Sequence, residues 1–351
     1  MEALAVDAIP AGPQWQYEPK WDGFRCLVFR RDGTVQLQSK SGQPLARYFP
    51  ELVDTLLKLK PKSFVLDGEI VVPGDSGLSF DALLQRIHPA ASRIAKLSQA
   101  TPACLMIFDL LENERTRSLV AEPLSTRRPE LEKFAAKYIT PNELLRLSPA
   151  TSNIGQARRW FDSAGPTLDG IIAKRLDLPY QSGNRLGMQK IKKIRSADCV
   201  VGGFRYATGR KVVGSLLLGL YDAAGLLHHV GFTSGLRAAD RPALTKKLEA
   251  GIQPPGFTGQ APGGPSRWST ERSAAWTPLA PRWVVEVTFD HVTGKRFRHG
   301  TRLLRWRPEK APHQCTLDQL AKPGGTDPVE LHVGNRKGLL RESRRRQSEF
   351  S

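Results

Sequence analysis

The chain reads as an α+β protein in two folded parts, a mixed α/β domain over residues 1–193 and a small all-β barrel over 194–315, with a basic tail over 316–351. Three observations predict this. Helix-like and strand-like periods alternate as far as Lys193, short strands dominate beyond it, and clear hydrophobic periodicity is lost from Pro323 onward. At 351 residues, 40% of them hydrophobic, the chain can bury two cores.

In the first part, strands are expected at Phe24–Phe29, Thr34–Gln38, Phe64–Val72, Ala103–Leu110 and Gly170–Ala173, where apolar residues alternate or run together. Helical periods appear at Pro50–Leu59, Phe80–Arg86, Pro129–Lys137 and Ile154–Ser163. The mixture suits an α+β or mixed α/β domain. In the second part, strands are expected at Cys199–Tyr206, Gly214–Tyr221, Leu226–Phe232 and Trp283–Phe289. One helix, Arg241–Glu249, and a loop rich in Gly and Pro between Gln253 and Pro265 interrupt them. Short strands with one intervening helix fit a Greek-key barrel of the oligonucleotide-binding kind, with a plain β-sandwich as the alternative. The final stretch ends in Arg341-Glu342-Ser343-Arg344-Arg345-Arg346 and reads as a solvated tail that adds non-specific phosphate affinity.

The net charge of +18 points to a polyanionic partner, because clustered Lys and Arg gain affinity by releasing phosphate counterions. Residues 1–193 carry 27 basic and 21 acidic groups and the remainder 25 and 13, so the excess lies mainly in the second part. Nucleic acid is favoured over an anionic membrane. No apolar run reaches a bilayer span, and the acidic start Met1-Glu2-Ala3-Leu4-Ala5-Val6-Asp7 lacks the basic residues of a signal peptide. Cys26, Cys104, Cys199 and Cys315 form no CxxC pair, which argues against a zinc knuckle. A cytoplasmic, nucleoid-associated protein with reduced thiols is expected.

The octapeptide Glu18-Pro19-Lys20-Trp21-Asp22-Gly23-Phe24-Arg25 places one amine among groups suited to a nucleotide. Asp22-Gly23 is a turn signal able to project Lys20 into a pocket from the end of a strand. A lysine nucleophile must be neutral, oriented, and close to groups that absorb negative charge. Leu66-Asp67-Gly68-Glu69 sets two carboxylates at an apolar strand, where they need a hydroxyl, a metal or a cation. Phe108 beside Asp109 can stack on a base or pack in the core, and Asp169 can hold a divalent cation through oxygen. In Gln189-Lys190-Ile191-Lys192-Lys193, strand alternation puts Lys190 and Lys192 on one face, which is costly without an anion between them. From Lys295 to Lys310, seven cations stand against one acid, interleaved with Phe297 and Trp306, as suits a phosphate-binding surface.

In order, EPKWDGFR (18–25), SKSG (39–42), LDGEIVV (66–72), FDLL (108–111), DGIIAKR (169–175), QKIKK (189–193) and RWRPEK (305–310) resemble the motifs of the covalent nucleotidyltransferases. Within that superfamily the chain is similar to the ATP-dependent DNA ligases of the compact two-domain bacterial type, ligase C and the ligase module of ligase D. The resemblance spans residues 1–315. It implies a nucleotidyltransferase domain of the ATP-grasp-like ligase kind followed by an OB-fold barrel, with ATP and Mg²⁺ or Mn²⁺ as cofactors. It also implies a monomer acting on nicked double-stranded DNA in repair, with a repair polymerase or end-binding protein as a possible partner. Lys20 would carry AMP. Glu18 would lie near the adenine edge, Phe108 would stack on adenine, and Glu69 would hold the ribose. Arg25 would contact the ribose or the nick, and Lys40 would bind phosphate. Lys190 and Lys192 would take the α-phosphate and lower the pKa of Lys20, while Asp169 with Glu69 would hold metal. Arg307 and Lys310 would orient the pyrophosphate.

Several positions depart from the family pattern. Lys40 replaces an arginine and gives up bidentate phosphate recognition, Asp169 replaces a glutamate, Glu309 replaces an aspartate, and Met188-Gln189 stands where an aromatic is common. Two rivals remain open at this level: RNA ligation or GMP transfer on the same scaffold, and a non-catalytic nucleic-acid-binding protein.

Overall fold

The computed structural model describes residues 1–74, 77–139, 144–163, 168–263 and 275–321. These form two compact units that divide after Lys193. The part of the expected tail beyond 321 lies outside the described residues.

The first unit is built on two sheets. One is four-stranded, in the order Leu4–Ala5, Met188–Lys192, Leu168–Arg175, Trp15–Trp21. The other is five-stranded, in the order Thr34–Ser39, Phe24–Arg31, Ser63–Val71, Cys104–Glu112, Leu145–Leu147. The chain passes from the first sheet to the second at Asp22-Gly23. A Cβ at Gly23 would lie 2.2 Å from the Ile70 carbonyl oxygen, so only glycine allows the close approach. Trp15–Trp21 is a strand with Lys20 near its end, as the Asp22-Gly23 turn signal suggests, although the sequence expectations set no bounds for it. Pro19 masks it, yet the strand lies at the sheet's edge, where a missing N–H is tolerated.

Alternation in the four-stranded sheet sorts the residues onto two faces. Trp15, Tyr17, Ile171, Ala173 and Ile191 bury one face against Ala157 and Trp160 of the Ile154–Asp162 helix. Glu18, Lys20, Ile172, Lys190 and Lys192 belong to the other. Helices Pro50–Lys58 and Leu124–Tyr138 pack their apolar residues into the core of the five-stranded sheet. The helix Ala91–Ala100 has no counterpart in the sequence reading, because it buries Ile94 alone and its apolar period is correspondingly faint.

The main sheet of the second unit runs in the order Leu227–Thr233, Val213–Tyr221, Arg195–Tyr206, Val284–Phe289, Arg302–Trp306, with Thr277–Pro278 beside the central strand, and Val292–Thr293 pairs with Arg296–Phe297 in a separate two-stranded sheet. One main sheet with only a two-stranded companion disfavours the sandwich. Register shifts at Val201/Gly203, Leu218/Gly219 and Glu286/Val287 curve it. The ladder is not closed into a barrel. Among the described residues its edge strands approach through one parallel bridge, Thr233 to Thr301, in which the Thr233 hydroxyl donates to the Thr301 carbonyl at 2.9 Å. Residues 316–321 belong to this unit rather than to a tail. Thr316 bridges Tyr221, Leu320 is buried, and Arg195 donates to the Gln319 and Ala321 carbonyls at 2.8 and 2.7 Å. No described helix is long and apolar enough to cross a membrane.

Gly170 fixes the register of the four-stranded sheet. Its φ is +141°, and a Cβ there would lie 1.9 Å from the Ile191 carbonyl oxygen. Gly170→Ala should destabilise the first unit by about 2 kcal/mol or more, read as a lowered urea midpoint.

Candidate active site

The register of the four-stranded sheet assembles the lysines. Lys20 and Lys192 lie opposite Gly170 on its two sides, and Glu18 and Lys190 lie opposite Ile172 in the same way. Two cross-strand rows therefore carry three lysines and a glutamate on one face. The pairing slips between Leu168 and Gly170, leaving Asp169 as the extra residue of a bulge. Regular alternation would send Asp169 to the apolar face with Ile171. The bulge turns it back, so its buried carboxylate meets the Lys20 ammonium and lies 3.7 Å from that of Lys192.

Burial holds Lys190 below the usual lysine range, and the neighbouring ammoniums of Lys192, Lys20 and Lys40 add to this. Lys190 is thus desolvated and crowded by like charge, a condition that a bound phosphate would relieve.

The second sheet contributes the acids and the aromatic. Arg25 lies directly across the strands from Glu69 but makes its fork with Asp67, Nε to Oδ1 at 3.0 Å and an η-nitrogen to Oδ2 at 2.6 Å; the Tyr180 hydroxyl donates to Oδ2 at 2.9 Å. Asp109 is held bidentately by buried Arg127 at 2.9 Å on both arms. These two carboxylates are saturated. Glu69 has no ion pair among the described residues, and desolvation pushes its carboxyl up to about 8 despite the attraction of Lys20 and Arg25. Phe108 is the extra residue of a second bulge, between the pairs Asp67–Asp109 and Gly68–Ile107, and stays half-buried among fully buried neighbours.

Glu18, Lys20, Arg25, Lys40, Glu69, Phe108 and Lys190 line one cleft of about 210 Å³. Lys174 joins them and was overlooked by the sequence reading. Its ammonium pairs with Glu18 at 2.8 Å, both side chains being buried, and lies 4.5 Å from the centre of the Phe108 ring. Gln16 also donates to Glu18 at 2.8 Å. A lysine two residues beyond Ile172 in an apolar strand was the available signal. Arg25, Lys40 and Glu69 also line an adjoining cleft with Ser39 and Ser41. Asp169 and Lys192 adjoin the first cleft through Lys20.

Arg307 and Lys310 belong to the second unit. Arg307 pairs with Asp198 at 2.8 Å, Glu286 at 3.4 Å and Glu309, and Lys310 lies 3.8 Å from Asp198.

No described group of three or more His, Cys, Asp or Glu residues could hold a metal ion. That does not conflict with Mg²⁺, which takes one or two protein carboxylates and completes its shell with substrate phosphates and water. Asp169, and a Glu69 whose raised pKa a cation would reverse, are donors of the right type.

Residues 5–192 match the family described as the ATP dependent DNA ligase domain, and residues 209–310 match the ATP dependent DNA ligase C terminal region. DNA ligase C2 of Mycolicibacterium smegmatis is 43% identical over 92% of this chain and 94% of its own. The multifunctional non-homologous end joining protein LigD of Mycobacterium bovis is 30% identical over 90% of this chain, which spans 39% of that protein. A solved Lig E DNA ligase shares the fold at a TM-score of 0.51 and 16% identity, over 88% of this chain and 100% of that one. The two domain matches and the 43% identity to a DNA ligase C2 over 92% of the chain carry one conclusion: the chain belongs to the ATP-dependent DNA ligases.

Proposed function

We propose that Lys20 is the residue that carries AMP in an ATP-dependent DNA ligase acting on nicked duplex DNA. The observation that carries this is the cross-strand row Lys20–Gly170–Lys192, bordered by Asp169, at the edge of a cleft holding Glu69, Phe108 and Lys190. As a member of its family the protein uses ATP and a divalent cation, attaches AMP to a lysine, passes it to the 5′-phosphate at a nick, and seals the strand when the 3′-hydroxyl displaces AMP.

The residues divide the work as follows. Adenine stacks on Phe108, whose bulge frees its ring from the sheet. The Glu18–Lys174 pair reads the base edge, as one acceptor beside one donor matches an exocyclic amine next to a ring nitrogen. Glu69 meets a ribose hydroxyl, and Arg25 meets the ribose or the nick, fixed by Asp67. Lys190 and Lys192 neutralise the charge that builds on the α-phosphorus. The Lys20 side chain lies against the Asp169 carboxylate, and an amine attacks phosphorus only in its neutral form. That carboxylate is the nearest acceptor and the nearest counter-charge to be drawn away. A divalent cation held by Asp169 and Glu69 would supply charge neutralisation at the phosphates. Arg307 and Lys310 orient the pyrophosphate.

Likeness to the non-homologous end joining protein LigD favours a role in end joining, and with it we infer a repair polymerase or end-binding partner and a place at the nucleoid in the cytoplasm.

After incubation with ATP and Mg²⁺, intact mass should show an AMP adduct on the wild type and none on Lys20→Ala. An adduct on the variant would move the nucleophile elsewhere, and labelling from GTP instead of ATP would favour the GMP-transfer rival. The raised Glu69 carboxyl gives a second prediction. The unfolded side chain ionises near 4.5 and the folded one near about 8, so the folded state holds the extra proton between these values. Its contribution to stability is complete below the lower value and is lost as pH rises through the upper. Without nucleotide, Glu69→Gln should flatten this part of the decline, read from urea midpoints across the window.

A further inference from the structure

Asp198 and Glu286 stand directly opposite each other on neighbouring antiparallel strands of the second unit. Like charges in that position repel unless a cation lies between them. Here the cations are Arg307, which reaches both carboxylates, and Lys310, which reaches Asp198. Arg305 adds a 2.7 Å contact to Glu286. The backbone at Asp198 is clamped. Its N–H donates to Gln319 Oε1 at 2.9 Å and its carbonyl accepts from Gln319 Nε2 at 3.0 Å, so residues beyond Lys310 fold back to fix the acid that holds Lys310.

We infer that Asp198 and Glu286 form an internal anionic seat that competes with pyrophosphate for Arg307 and Lys310, making Asp198 a positioning residue that favours pyrophosphate release. This rests on the reading of Arg307 and Lys310 as the pyrophosphate-orienting pair. When pyrophosphate engages the two cations, Asp198 and Glu286 face both each other and the phosphate with less compensation. Departure of pyrophosphate restores the ion pairs. The seat thereby weakens product binding while keeping both cations together and in a fixed arrangement between turnovers.

The reverse reaction reads this out. On the adenylated protein, a pyrophosphate oxygen forms a bond to the α-phosphorus and the phosphorus–nitrogen bond breaks. The electron pair returns to Lys20 Nζ, which takes a proton from solvent as ATP leaves. The loss of AMP mass is followed against pyrophosphate concentration in the presence of Mg²⁺. In Asp198→Asn the half-saturating concentration should fall about threefold to tenfold, a gain of affinity that simple structural damage would not produce. Glu286→Gln should shift it the same way and serves if the first variant does not fold. An unchanged or raised value in the folded variant overturns the seat. Arg307→Ala should raise the value. If it does not, the underlying reading of Arg307 fails, a result distinct from a failure of the seat alone.

Discussion

The placement of one glycine between two lysine-bearing strands is the constraint on which the site depends. Gly170 lets the Ile191 backbone approach to a distance that no side chain would permit, and this fixes the register that brings Lys20 and Lys192 to either side of it. The slip beside it turns Asp169 toward those lysines. A regular ladder would have left two ammoniums facing each other and a carboxylate directed into the aromatic core of Trp15, Tyr17 and Trp160. A buried, unpaired carboxylate there would cost several kcal/mol, on the order of that for breaking a buried ion pair. The same irregularity serves stability and shapes the candidate site.

The acids of the second sheet sort by whether an arginine fork reaches them. Asp67 and Glu69 share a face, and Arg25 is the cross-strand neighbour of Glu69, yet its guanidinium leans diagonally to Asp67, where Tyr180 completes the set. Asp109 is satisfied in the same way by Arg127. Both become fixtures. Among the described residues Glu69 has no ion pair at the cleft, and burial raises its carboxyl pKa to about 8.

Much of this was legible in the sequence, and the part that was not shares a cause. The alternation in Gln189-Lys190-Ile191-Lys192 predicts one face for two lysines, because strand period depends only on local geometry, and the helices Phe80–Arg86 and Arg241–Glu249 follow from their own periods. The bulges that expose Phe108 and redirect Asp169 arise from register between segments 40 to 150 residues apart in sequence, which no local pattern encodes. Lys174 was hidden for a related reason. At the end of an apolar strand it reads as a solvated terminus, and its burial depends on Glu18 in a partner strand. Beyond the second unit's strand periods, the open ladder and the fold-back of residues 316–321 rest on contacts between segments distant in sequence, Thr233 with Thr301, Thr316 with Tyr221 and Gln319 with Asp198.

Both units treat their clustered cations alike. In the first, the Asp169 carboxylate lies against Lys20 and Lys192; in the second, Asp198 and Glu286 lie against Arg307 and Lys310. Cations held close enough to grip a phosphate repel one another when the phosphate is absent, and an internal carboxylate removes that cost. If these cations grip phosphate as proposed, it also sets a limit on affinity, since each phosphate must displace or share an existing partner. An enzyme that binds a triphosphate, releases pyrophosphate and then engages a nick needs each grip to be reversible. Cations with internal counter-charges meet that need better than bare ones, whose stronger hold on phosphate would slow each exchange.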